Sequence, residues 1–247
     1  MNKSDVLSIV ENIALNPFFK NYVVRKSDAS IILKSEVGYK RIQFQYYNSY
    51  DLKRDQLALE ITPNYDIRFN VLHKWFEKYS KRTLKDQRDD YSVGFTGSMI
   101  SGTDTFYFLE SRNNYDEDFK ILYNEVIKNA KYVFTKYATL ESYYDRCIND
   151  VLQKKRDWPD IGIEWIMEYL IATKLIAPFN YKLIKDLILQ RIEYMMSRNE
   201  PNTKMYYNDL PAILKDLEGT DFTSGKWGKL PISIAGTRLI EKSDFAQ

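Results

Sequence analysis

His73 and Cys147 are the only histidine and the only cysteine in the 247 residues. Nucleophilic catalysis generally needs a Ser, Cys or Lys beside a base, with an acid to orient that base. No serine here stands in a nucleophile-elbow pattern, and Cys147 has Arg146 as its adjacent cation. A nearby cation lowers a thiol pKa, but consecutive residues on a helix diverge. His73 therefore reads as a structural or surface imidazole, and Cys147 as an inert core thiol. A lone cysteine forms no internal disulfide, which fits a reducing compartment.

Metal chemistry has one candidate. The chain has no Cys pair, His pair or His-Glu-x-x-His motif, but Asp160, Glu164 and Glu168 recur every four residues. A helix stacks such residues on one face, and Glu164 and Glu168 there would suit Mg, Mn or Ca. The same ladder describes a solvent-exposed strip on an oily helix, and that strip is the expectation. Asp86, Asp89 and Asp90 interleave with Arg82, Lys85 and Arg88, as in a solvated loop. The Gly-rich stretches 94–103 and 225–229 do not fit a phosphate-binding template and read as turns. No cofactor is implied.

Two surfaces remain. Lys74, Lys78, Lys81, Arg82 and Lys85 fall at steps of three and four. On a continuous helix they form one stripe, which with Trp75 and Tyr79 would grip phosphates and stack a base. The second surface is aromatic. Twenty tyrosines include Tyr46, Tyr47 and Tyr50, the pair Tyr143-Tyr144 and the pair Tyr206-Tyr207. Neighbouring rings do not both face one core, so some reach the surface, where Tyr is enriched at protein contacts.

The elements that must position these residues follow from period. Ser4 caps a first helix to about Leu15, with Val6, Ile9, Val10 and Ile13 inward. Residues 20–63 then alternate with period two, as half-buried strands do. Their links are too short for helical crossovers, so the sheet is an antiparallel meander. Arg41, Gln43, Gln45 and Tyr47 lie on its outer face. Pro63-Asn64 ends the sheet, and a helix over about 66–81 carries His73 and the basic stripe. Val93–Phe95 and Thr105–Leu109 read as short strands. From about Tyr115 the spacing is helical: 115–137, 140–154, 157–176, 181–197 and 208–217. The helix before 176 is apolar nearly all round and belongs at the centre of its bundle. Asn113 or Asn114 caps the first of these helices.

These elements give an α+β protein. Residues 1–112 form a sheet domain and 113–219 a helical domain that can share its core. Residues 220–247, with an apolar patch at 230–234, form a tail. The N-terminal segment carries Asp5 and Glu11 where a signal peptide needs an apolar run, and no 18-residue apolar span occurs. A cytoplasmic protein with no membrane contact is expected, with a composition of the kind AT-rich bacterial genomes encode.

The helix–meander–helix opening is similar, by topology alone, to small bacterial domains, some of which neutralise toxins. That likeness implies an immunity-like role. The leading expectation is a non-catalytic binding or regulatory protein, with a protein partner or a second copy meeting Arg41, Gln43, Gln45 and Tyr47. A nucleic-acid binder using the basic stripe is the alternative, and a carboxylate-dependent metal enzyme the third. The positions of His73, Glu164 and Glu168 relative to the largest cleft separate enzyme from binder.

Overall fold

The computed structural model describes residues 2–103, 105–155 and 162–223. Its first elements are α1 (Lys3–Ala14), β1 (Val23–Arg25), β2 (Ser30–Lys34), β3 (Gly38–Asp51), β4 (Gln56–Phe69), α2 (Asn70–Phe76), α3 (Leu84–Asp89), β5 (Val93–Thr96), α4 (Gly97–Ser101) and β6 (Phe106–Leu109). There follow α5 (Tyr115–Lys136), α6 (Leu140–Tyr144), α7 (Asp150–Leu152), α8 (Ile163–Ile176), α9 (Tyr181–Ser197), α10 (Pro201–Tyr207) and α11 (Leu210–Gly219). The fold is α+β, with an antiparallel sheet and a helical C-terminal part. By packing, the chain divides into two compact units, residues 1–68 with 93–137, and residues 69–92 with 138–247. Helix α5 thus groups with the sheet rather than with the helices that follow it. Asp160 and the stretches 225–229 and 230–234 lie outside the described residues.

The first unit is built on the sheet β1-β2-β3-β4-β5, with β6 also paired to β4. Helix α1 packs on β1 and β2, and Val6, Ile9, Val10 and Ile13 are buried as their spacing predicts. Its cap is Asn2, two residues before Ser4. The Asn2 side chain accepts from the Ser4 amide at 2.8 Å, and Asp5 accepts from the Asn2 amide at 2.7 Å. This reciprocal exchange satisfies donors that a helix start leaves orphaned. Asn114 takes the position before α5 in a left-handed conformation and makes no side-chain capping bond.

Strand β4 does not stop at Pro63. Ala58–Ile61 pair with β6, and Asn64–Ile67 pair with β5. Pro63, which has no N–H, falls between the two ladders, where neither neighbour asks it for a hydrogen bond. The strand therefore runs on to Phe69, and the next helix starts at Asn70 instead of Asp66.

Alternation predicts an exposed Arg41, and the structure buries it. Gly38–Ile42 are all buried, so the first half of β3 is covered on both faces. Arg41 Nε and a terminal nitrogen donate to Asp66 Oδ2 at 2.9 and 2.8 Å, with side chains 5% and 4% exposed. The guanidinium also lies 5.1 Å from the Tyr39 ring centre. Next to it, Lys40 Nζ donates to the Phe134 carbonyl at 2.9 Å, and burial pushes its ammonium pKa down.

The far end of the β3–β4 hairpin is clamped. Arg54 bonds Asp51, grips both oxygens of Asp118 at 3.0 and 2.8 Å, and donates to the Tyr107 carbonyl at 2.7 Å. The bond from Arg54 holds the Asp51 carboxyl below its ordinary range.

In the second unit α8 is the centre. It packs against α2, α6, α9 and α10 and buries Ile163, Ile166, Met167, Tyr169, Leu170 and Ile171, as an all-round apolar helix should. Tyr143 and Tyr144 are both buried, at 0% and 4% exposure. They escape the expected conflict by taking different partners. Tyr143 meets Phe69 and Tyr169 at 5.6 and 6.0 Å, while the Tyr144 hydroxyl accepts from Asn180 at 2.9 Å. Between α6 and α7 the chain makes a π-helical turn, Asp145–Asn149, which buries Cys147. Among the described residues no helix is long and apolar enough to cross a membrane.

Candidate functional site

Glu164 opens α8, one residue inside its N-terminus, where a carboxylate is favoured by the exposed amides. It lines a cavity of about 320 Å³ together with Arg82, Asp90, Trp165, Met205 and Tyr206. The Tyr206 hydroxyl donates to Glu164 Oε1, and Ser80 Oγ donates to the same oxygen at 3.3 Å. Arg82 stands 3.6 Å from Oε2 and also pairs with Asp90. The Lys81 amide donates to the Tyr206 oxygen at 2.7 Å. Burial, then the hydrogen bond to Glu164, pushes the Tyr206 hydroxyl pKa up to about 12. Trp165 is steadied by its Nε1–H bond to the Tyr91 carbonyl at 3.0 Å.

A smaller recess shares Asp90 and Glu164 and reaches His73 and Glu168. One α-helical turn after Glu164, Glu168 is buried at 3% exposure rather than facing solvent. Its Oε1 lies 3.2 Å from His73 Nδ1, and His73 Nε2 lies 3.0 Å from Ser92 Oγ. Both ring nitrogens are thus engaged, Nδ1 by Glu168 and Nε2 by Ser92, and the tautomer sets which atom donates in the Ser92 bond. Ser92 Oγ in turn accepts from the Phe69 amide at 3.1 Å.

The order of groups matches a serine–histidine–acid array. Ser92 is 8% exposed and lines neither cavity, and one of its lone pairs is taken by Phe69. The relay Phe69–Ser92–His73–Glu168 instead fastens the end of β4, α2, the segment before β5 and α8. His73 is thus a half-buried imidazole engaged at both ring nitrogens. The expectation of a solvated strip is overturned at Glu168, because α2 packs over that face of α8. Among the described residues no three His, Cys, Asp or Glu side chains gather to hold a metal ion.

The basic stripe does not form as spaced. Helix α2 ends at Phe76, and α3 begins only at Leu84. Lys74 and Lys85 are exposed, while Lys78 pairs with Asp216, Lys81 with Asp209 and Arg82 with Asp90. Lys78 also lies 5.4 Å from the Trp75 ring and 5.0 Å from the Tyr79 ring.

Hydrogen bonds from Lys78 and Tyr79 hold the Asp216 carboxyl below its ordinary range. Asp51 is depressed in the same direction. A depressed carboxylate stabilises the fold above its unfolded pKa, and that contribution is lost as pH falls through the folded value. Urea midpoints measured against pH should hold steady near neutrality and fall below pH of about 4. In Asp51→Asn and Asp216→Asn part of that decline should be missing.

Of the outer-face residues, Arg41 is buried, Gln43 is half-buried, and Gln45 and Tyr47 are exposed. Their common strand has an unusual edge. The ladder to β2 ends at Ser30↔Gln43, and the Phe44 amide donates to the Ala29 carbonyl at 3.0 Å. Residues 45–51 extend past the end of β2. Because amides alternate sides along a strand, Tyr46, Asn48 and Tyr50 turn their N–H and C=O groups to this open side. Tyr47 and Tyr50 of this run are exposed, at 58% and 44%.

Ser92, Trp165 and Asp216 were not flagged by spacing, because each meets its partners only through folding. Tyr206 was flagged as one of an adjacent pair, and it is the buried member, while Tyr207 is 42% exposed. Comparison with protein-family models, with curated proteins and with solved structures finds no match to this chain.

Proposed function

We propose that the protein is a non-catalytic binding module that takes an extended segment of a partner protein onto the open edge of β3. The observation that carries this is the run from Gln45 to Asp51, whose outward amides and carbonyls have no strand beside them among the described residues. Such an edge is a template for strand addition. The exposed rings of Tyr47 and Tyr50 supply apolar contact beside the backbone bonds. The Arg54 clamp on Asp51, Asp118 and Tyr107 keeps the hairpin in place, so little ordering is required on binding.

The basic-stripe and metal readings draw less support. Lys78, Lys81 and Arg82 are in ion pairs, and Glu164 and Glu168 are engaged by Tyr206 and His73.

Asn48→Pro tests the edge. It removes one outward N–H, which no strand among the described residues uses, so circular dichroism and the thermal midpoint should stay near wild type. In affinity purification from the source cells, a protein held by the wild type should fall at least about tenfold, or ~1.4 kcal/mol, with Asn48→Pro. Equal retention by both chains would rule out the edge. A dimer lost in Asn48→Pro would make the partner a second copy.

A further inference from the structure

We infer that the cavity beside Glu164 binds a small, planar, uncharged heterocycle with adjoining hydrogen-bond donor and acceptor atoms, such as the lactam edge of a nucleobase. This site lies within the second unit and is independent of the β3 edge.

The argument rests on which polar atoms are already engaged. Glu164 uses Oε1 for Tyr206 and Ser80, while Oε2 has Arg82 at 3.6 Å, beyond hydrogen-bond length. Arg82 uses one terminal nitrogen for both Asp90 and Glu164. Among the described residues its Nε and its other terminal nitrogen make no hydrogen bond. An acceptor and a set of donors therefore stand side by side on one wall. A lactam presents the complement, an N–H next to a carbonyl oxygen, in a single plane. The planar fork of arginine suits such paired recognition.

Charge selects against ions. Glu164 and Arg82 already face one another, so a carboxylate ligand would meet Glu164 and Asp90, and a cation would meet Arg82. A neutral ligand avoids both penalties. The remaining wall is aromatic and apolar, with Trp165, Met205 and Tyr206 available to a flat ring. A volume of about 320 Å³ is at the small end of ligand sites, enough for a base-sized molecule. Tyr206 and Trp165 are themselves anchored, by Glu164 and by the Tyr91 carbonyl, so the walls are preformed.

Isothermal titration of the full chain with uracil, guanosine, benzoate and benzamidine tests the inference. Saturable binding of uracil or guanosine is expected, with benzoate and benzamidine at least tenfold weaker. Glu164→Gln places a donor where the acceptor stood and should weaken the lactam at least tenfold. Met205→Trp fills the cavity from a half-exposed position, so it should abolish binding while leaving the urea midpoint unchanged. Benzoate or benzamidine binding as tightly as the lactams would overturn the proposal. So would an absence of binding across the panel, or binding that Met205→Trp leaves intact. None of these results bears on Asn48→Pro, so the two readings fail separately.

Discussion

Arg41→Leu should lower the free energy of unfolding by about 3–5 kcal/mol, because it removes the guanidinium that offsets the charge of the buried Asp66 carboxylate. The two side chains are 5% and 4% exposed, so water offers the survivor little. The double substitution Arg41→Leu with Asp66→Leu should recover much of the loss, since removing both charges also removes the cost of burying them. Urea denaturation of the single and double variants gives the coupling energy directly. A single variant within 1 kcal/mol of wild type would mean that the pair is hydrated in solution.

Trp75→Ala carries the second large effect, about 3–5 kcal/mol for emptying the space of a buried indole. Trp75 is 1% exposed, and its Nε1–H donates to Thr220 Oγ1 at 3.0 Å. Thr220 in turn donates to the Asp216 carbonyl at 2.8 Å, so the loss reaches the end of α11. Trp75→Phe keeps most of the volume and forfeits the hydrogen bond, and should cost about 1–2 kcal/mol. Thermal or urea unfolding of both variants separates packing from polar contributions. A Trp75→Ala protein as stable as Trp75→Phe would show that the ring contributes through its N–H alone.

Period was enough to read the sheet as an antiparallel meander and α8 as a central helix, because both depend on which faces are apolar. It also placed β5 and β6 closely. It failed where a local rule met a tertiary partner. Pro63 reads as a strand breaker until two successive neighbours leave it a gap. Arg41 alternates as a surface residue, and Asp66, 25 residues later, draws it inside. Glu164 and Glu168 look like a wet stripe because nothing in their spacing shows that α2 supplies His73 and the segment before β5 supplies Ser92. The basic residues 74–85 were spaced for one helix, and the chain turns away after Phe76. The open edge of β3 was invisible for a simpler reason. Strand lengths of 5 and 14 residues had to be compared, and alternation marks a strand without marking where its neighbour ends.

The interruption at Pro63 has a mechanical result for the sheet. With β6 bonded on one side of it and β5 on the other, β4 acts like a zip with two sliders. A slip of one short strand along β4 stops at the imino acid and cannot drag the other out of alignment. Peeling one strand away breaks a four-residue ladder and leaves the opposite ladder closed.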